Sequence, residues 1–376
     1  MDGYLTAEVS ASALARNLAT LRALVPEGTA IWPVVKADAY GHGLATVLPV
    51  LAPRVEGLAV ATASEAMQLR ALGFDKPLLA FLSVLGFVDP AEGRDAVEAL
   101  VASGSTLTVT SLDEARYLAE AVRPMGRRAR VHLKIDTGMA RGGVWYQQAP
   151  ELLAWLRAEA ALELTGAYTH FATADEEDDR FVGEQLARFH SVLEAGGGGQ
   201  GLVLHAANSA ALLGRPESHL DLVRPGIAVF GVRPAPHVGR GVELEPALRL
   251  KARLMAVKDV PAGTSASYGH AYTFERQARV GLVPVGYGDG YLVALSDRAT
   301  VRVLGADAPV RGRVTMDQII VELTGIPEAA VGDEVEILSP NPDDPHSAAG
   351  LAARAGTIPY EILTRLGPRV RRVLVD

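Results

Sequence analysis

Val34-Val35-Lys36-Ala37-Asp38-Ala39-Tyr40-Gly41-His42-Gly43 is the stretch on which the fold reading turns: an apolar run ends in one lysine, followed by a small, turn-rich polar segment. Read at period two, Trp32, Val34 and Lys36 share one side of a strand, which sets an ammonium at the end of a mostly apolar wall. A lysine desolvated there loses proton affinity and becomes usable as a nucleophilic amine or a base. The same position also suits a lysine whose stem covers a strand end while its charge reaches water. The rest of the chain has to decide between the two.

Outward from this stretch, from Ala30 to about Val223, short β-branched runs alternate with helical segments. Strands are predicted near 30–36, 57–61, 77–82, 106–110, 129–136, 163–169, 202–205 and 221–224. Helices between them start with capping boxes, Thr62 with Glu65 and Ser111 with Glu114. Eight strand–helix repeats predict an α/β chain with a closed (β/α)8 TIM-like barrel rather than an open sheet. Such barrels keep ligands and chemistry at the C-terminal ends of their strands. Lys36 ends the first candidate strand, Lys134 and Asp136 the fifth, His170 the sixth and Arg224 the eighth, so these residues share one rim. In the fifth strand, alternation puts His132, Lys134 and Asp136 on one face and Val131, Leu133 and Ile135 on the other. With the apolar set against the outer helices, Lys134 points into the barrel, where it either pairs, for instance with Asp136, or loses its charge.

Around 232–246 the texture changes to Val232-Arg233-Pro234-Ala235-Pro236 with Gly239 and Gly241, which reads as a linker. Alternating runs near 247–259, 279–286, 300–304, 308–314, 318–323 and 333–338 then predict a mainly antiparallel β domain. Helices near 347–354 and 357–365 and a strand at 369–375 close the chain. The boundaries expected are a barrel over 10–235 and a β domain over 236–376. Gly196-Gly197-Gly198-Gly199-Gln200-Gly201 formally fits a dinucleotide fingerprint, but it follows a helix and precedes a strand, the reverse of the order that motif needs. Asp175-Glu176-Glu177-Asp178-Asp179 reads as a solvated helix start, where negative charge is favourable, rather than as a metal cluster.

A length of 376 residues exceeds what one core usually holds, consistent with two domains. The net charge of −8 carries no basic block, so no nucleic-acid partner is expected. The absence of cysteine excludes disulfides, thiolate metal sites and a cysteine nucleophile. The acidic start, Met1-Asp2-Gly3-Tyr4, lacks a basic segment before an apolar core, and no run is long enough to span a bilayer. The expectation is a soluble, cytoplasmic protein with no membrane partner.

Several segments together resemble the alanine racemase family, over nearly the whole chain. They are the Lys36 decamer, Val223-Arg224-Pro225-Gly226-Ile227-Ala228, Ser267-Tyr268-Gly269-His270, Val285-Gly286-Tyr287-Gly288-Asp289-Gly290, Arg313-Val314-Thr315-Met316-Asp317-Gln318 and Thr357-Ile358-Pro359-Tyr360-Glu361. Members commonly have cysteine where this chain has Thr315. The resemblance implies a fold type III enzyme that uses pyridoxal 5'-phosphate, with Lys36 as the amine for the aldehyde and residues 1–9 joining the β domain. A phosphate cradle is expected in the loops after the seventh and eighth strands, His205-Ala206-Ala207-Asn208-Ser209-Ala210 and the Gly226 segment. Ser209 alone would read as a helix N-cap. The resemblance gives Ser209, Asn208, Gly226 and Ile227 to the cofactor phosphate, with Tyr40 and Tyr360.

The resemblance also sets Arg224 against the pyridine nitrogen, with His170 as the residue that orients it. A guanidinium does not give up its proton, so that nitrogen would stay unprotonated and the cofactor would be a weaker electron sink, suited to taking and returning one proton. The residue matching Lys134 is carbamylated in the family and braces the arginine matching Arg141, which meets the substrate carboxylate. Racemisation needs bases on opposite faces of Cα. Lys36 would serve one and Tyr268 the other, provided a nearby cation such as His170 or Arg224 favours the phenolate. Lys36 belongs to the barrel and Tyr268 to the β domain, so they meet in an interdomain or an intersubunit cleft. The family implies a head-to-tail homodimer in which each site takes Tyr268, Tyr287 and Met316 from its neighbour, acting on alanine and supplying D-alanine for peptidoglycan. The competing readings are a racemase of broader specificity, a decarboxylase of basic amino acids, which would need an acidic residue for the distal amine, and a non-catalytic cofactor carrier, which would lack the β domain.

Overall fold

The computed structural model describes residues 3–376. Eight parallel strands form one sheet in the order Ala30–Ile31, Leu222–Val223, Val203–His205, Leu162–Tyr168, Ala129–Asp136, Thr106–Val109, Leu78–Ala80, Leu58–Val60. The sheet closes on itself where Val34 bridges Ala59, with Val35 N–H donating to Ala59 O at 2.9 Å and Ala59 N–H to Pro33 O at 2.9 Å. Alternation with helices and closure give the (β/α)8 barrel. The first strand differs from its predicted extent of 30–36. Its ladder to the last strand runs from Ala30 to Val34, but Pro33 has no N–H to give the second strand. Lys36 therefore lies beyond the strand, at the start of a turn.

Helix starts follow from local chemistry. Thr62 and Glu65 form a complete capping box on the helix Ala63–Ala71. Ser111 caps Leu112–Val122, but Glu114 reaches instead to Thr110 and, at 3.2 Å, to the N–H of Val84. The acidic run 175–179 directly precedes the helix Arg180–Ala195, and the glycine run 196–201 joins that helix to the seventh barrel strand, as their composition predicts.

Beyond the linker, a nine-stranded sheet runs in the order Ala256–Val260, Ala278–Val283, Ile319–Glu322, Ala306–Arg311, Thr300–Val303, Glu334–Leu338, Leu248–Arg253, Thr6–Ser10, Arg371–Val375. All neighbours are antiparallel except the last pair. Both ends of the chain thus lie in this sheet; Met1 and Asp2, which the sequence reading groups with it, lie outside the described residues. The predicted run 247–259 is two strands, broken at Leu254 and Met255. One continuous apolar core extends from the barrel helices into the sheet, so the two domains pack against each other. Among the described residues no helix is long and apolar enough to cross a membrane.

Candidate active site

A cavity of about 560 Å3 opens at the C-terminal ends of the barrel strands. Its walls include Lys36, Tyr40, Lys134, Arg141, His170, Asn208, Ser209, Arg224, Gly226 and Tyr360.

Lys36 leads into an unusual segment. Ala37, Asp38, Ala39 and Tyr40 all have φ between 53° and 55°, one turn of left-handed helix without a glycine. Each such residue costs about 1–2 kcal/mol relative to the right-handed form, so surrounding contacts must hold it. Glu65 Oε1 accepts the Ala37 N–H at 2.7 Å while Oε2 accepts those of Ala61 and Thr62. Asp38 Oδ1 accepts the Leu44 N–H at 2.7 Å, and Arg372 Nε donates to Gly41 O at 3.1 Å. Gly41 has to be glycine, because at φ 81° a Cβ would lie 2.0 Å from Leu363 O.

The turn carries Tyr40 across to the last strand's loop. A Cβ at Gly226 would fall 2.2 Å from the Tyr40 hydroxyl, and the Tyr40 and Tyr360 rings lie 6.1 Å apart. Asn208, not Ser209, caps the helix Ser209–Gly214, accepting the Ala211 N–H at 3.0 Å. The cap alternative for Ser209 thus falls away, and its hydroxyl accepts the N–H groups of Gly226 at 2.8 Å and Ala228 at 3.3 Å. Ile227 is fully buried and opens the short turn Ile227–Phe230 through its backbone.

Charge is concentrated on the opposite wall. Burial lowers the Lys36 amine, Arg141 lowers it further, and Glu65 partly opposes them, although the side chain keeps contact with water in the cavity. Lys134 is pushed down to about 8 by burial, then by Arg141 and Arg224. Asp136 is occupied elsewhere: its carboxylate accepts the N–H groups of Gly138, Met139, Ala140 and Arg141 at 2.9–3.2 Å. It is therefore no hydrogen-bonding partner for Lys134, whose ammonium sits 6.0 Å from the centre of the Tyr168 ring.

Arg224 is buried, yet its pKa of about 10 keeps it charged at neutral pH. Its Nη1 donates to His205 Nδ1 at 2.5 Å and its Nη2 to the carbonyls of Thr169 and Ala206 at 2.8 and 3.1 Å. The orienting histidine is thus His205, on the seventh strand, and not His170. With Nδ1 accepting, His205 carries its proton on Nε2 and donates it to His132 Nδ1 at 2.9 Å. His170 faces the cavity as a neutral imidazole, held well below its usual range by burial and then by Arg224, Arg141, Lys134 and Lys36. It is not the cation expected beside a tyrosinate.

Three predicted residues are elsewhere. Tyr268, Tyr287 and Met316 do not line this cavity; they are exposed on the β domain, on neighbouring loops joined by Tyr287 N–H to Thr315 O at 3.0 Å and Ser267 Oγ to Arg313 O at 2.7 Å. Sequence reasoning missed Glu65 as a clamp on the Lys36 turn and His205 as the partner of Arg224. The available signal for His205 was that it ends the seventh strand, beside the inward His132 of the fifth.

The barrel mouth gathers two lysines of lowered proton affinity, the buried Arg224 and a hydroxyl-lined loop cradle beside a β domain, and the class of enzyme that shares this arrangement is given by the chain's relatives. Residues 9–234 match the family model for the alanine racemase N-terminal domain and residues 247–374 that for the C-terminal domain. Alanine racemase from Desulfovibrio desulfuricans is 40% identical, with 100% of this chain and 99% of that protein covered; that from Thermobifida fusca is 40% identical, covering 99% and 98%. The crystal structure of alanine racemase from the D-cycloserine producer Streptomyces lavendulae superposes with a TM-score of 0.92 at 36% identity, covering 100% of this chain and 98% of that one. The chain belongs to the alanine racemase family.

Proposed function

We propose that the protein interconverts L- and D-alanine with pyridoxal 5'-phosphate, as a head-to-tail homodimer in the cytoplasm, and so supplies D-alanine for peptidoglycan. The observation that carries this reading is the meeting, in one cavity, of the Lys36 amine, the charged Arg224 and the cradle formed by Ser209, Gly226 and Tyr40.

The residues present fit the cofactor. A Cβ on Gly226 would fill the cradle beside the Tyr40 hydroxyl, and Ser209, whose oxygen accepts from the Gly226 and Ala228 N–H groups, keeps its own O–H to donate to an anion. Ser209, Gly226, Ile227, Asn208, Tyr40 and Tyr360 would hold the phosphate, Arg224 the ring nitrogen and Lys36 the aldehyde, with His170 and Arg141 along the wall. When bound, the group withdraws electrons from the amino acid and acidifies its Cα–H.

The remaining work belongs to this chain. Lys36, with its affinity for protons lowered, takes or returns the Cα proton on one face. Arg224 can only donate hydrogen bonds, and the arrangement that fixes it through His205, Thr169 and Ala206 leaves it one orientation. Arg141 receives the substrate carboxylate. Lys134, without a carboxylate partner and near neutrality, is chemically suited to react with carbon dioxide, and the resulting anion would brace Arg141. Tyr268 of the partner subunit serves the opposite face of Cα, and Tyr287 and Met316 from that subunit narrow the entrance around a small side chain.

The deciding experiment incubates the purified protein and cofactor with a panel of L-amino acids and measures D-isomers, with borohydride reduction and peptide mapping alongside. D-alanine formation and a label on Lys36 are expected. Release of carbon dioxide alone, or a label on another residue, would discard the proposal.

A further inference from the structure

We infer that Arg369 is a positioning residue that acts on the neighbouring protomer's site, whereas Arg372, three residues on, acts on its own; the inference rests on the shared-site reading above. Arg369 lies between the Tyr360 helix, Pro359–Thr364, and the closing strand Arg371–Val375, and Arg372 is the second residue of that strand.

Arg369 is a fork across two loops. Its Nε meets Asp289 Oδ1 at 2.9 Å and its Nη1 meets Asp317 Oδ1 at 2.8 Å. Asp289 in turn accepts the Gly286 N–H at 2.9 Å, and its own carbonyl accepts the Gly367 N–H at 2.9 Å. The loops so joined are those of Tyr287 and Met316, already tied by Gly288 N–H to Met316 O at 2.9 Å. Their approach leaves no room for side chains: a Cβ at Gly286 would lie 2.3 Å from the carbonyls of Thr315 and Met316, and one at Gly288 would lie 2.4 Å from Arg369 Nη2. Tyr287 and Met316 project outward and take no part in their own barrel's cavity. On the shared-site reading, what Arg369 fixes is used by another copy of the chain.

Arg372 points the other way. Its Nε donates to Gly41 O, and its Nη1 and Nη2 donate at 2.7–2.8 Å to the carbonyls of Gly367, Val370 and Leu366. Gly41 closes the turn that bears Lys36, so Arg372 sets the height of that turn against the Tyr360 helix. One short segment thus grips the half-site the chain keeps and the half-site it lends.

An ion pair this exposed contributes little to stability, which separates its role from a structural one. Two carboxylates on separate loops need a planar fork, and a lysine cannot span both. Losing the fork should displace Tyr287 and Met316 and lower kcat/KM on the order of ten- to a hundredfold.

Mixed dimers test this. A Lys36→Ala subunit keeps a sound β-domain face, and a Tyr268→Ala subunit keeps a sound barrel, so their mixed dimer, isolated with two tags, has one working site. Arg369→Gln placed on the Lys36→Ala subunit should lower kcat/KM by about tenfold or more, chiefly through KM. On the Tyr268→Ala subunit it should change nothing. Arg372→Gln should show the reverse asymmetry, and Arg369→Lys the same asymmetry as Arg369→Gln in weaker form, with unchanged thermal midpoints for both Arg369 variants. Equal effects of Arg369→Gln on either subunit, or none on both, would overturn the inference alone. An inactive parental mixed dimer would overturn the shared-site reading and the inference with it.

Discussion

At the barrel mouth, Tyr40, Ser209 and Arg224 are 6%, 3% and 3% exposed and bound on every side, whereas on the β-domain face Tyr268, Tyr287 and Met316 are 73%, 47% and 52% exposed. The first set lines the barrel cavity and is held by its neighbours, as the proposed phosphate cradle requires. The second offers aromatic and thioether surface with no cavity of its own. On the proposed shared-site reading, the buried region lacks a second base and the exposed region lacks a cavity, so each would complete the other. A phenol that exposed gains catalytic value only when another surface removes its water.

The sharpest way to break this comparison is at Lys36. Lys36→Ala should reduce racemase turnover by at least about 10,000-fold and prevent reductive labelling of the protein, while the far-UV spectrum stays unchanged. Tyr268→Phe removes the exposed half's base and should lower kcat by roughly 100- to 10,000-fold with cofactor absorbance retained; loss of cofactor instead would place Tyr268 in the barrel's half. Gly226→Ala drives a methyl into the Tyr40 hydroxyl and should weaken cofactor binding by roughly 5- to 100-fold, read by titration of the absorbance.

The smallest expected effect concerns Lys134. Its pKa is about 8 in the fold against 10.5 for a free lysine, so the unfolded chain binds more protons between those values and stability rises with pH across them. In cofactor-free, carbon-dioxide-free buffer, the stability of the protein minus that of Lys134→Met should climb from pH 8 to 10.5. A flat difference would mean that the amine is as well solvated as any surface lysine.

The periodicity of the chain made the barrel legible, because eight buried parallel strands leave β-branched runs at a regular pace and capping boxes such as Thr62 with Glu65 mark the helix starts. Rim residues such as Lys134, His170 and Arg224 could be placed from strand ends alone. What local pattern does not carry is which neighbour wins a contact. Asn208 and Ser209 are both good caps, and only the approach of the Gly226 loop assigns one to the helix and the other to the cradle. His205 ends its strand and His170 lies two residues past the end of its own, and the reach of Arg224 across the barrel selects His205. Pro33 was visible in the sequence, but its effect depends on which side of the strand lacked a donor.

The four left-handed residues after Lys36 have one more consequence. Together they raise the local energy by about 4–8 kcal/mol, a large part of the roughly 5–15 kcal/mol by which a folded protein usually exceeds its unfolded state. The reactive amine is mounted on a spring, and its catches, Glu65 and Arg372, come from distant parts of the chain. Reactivity should therefore be the first property surrendered to mild urea, ahead of any loss of helical ellipticity, so that the enzyme falls silent while still looking folded.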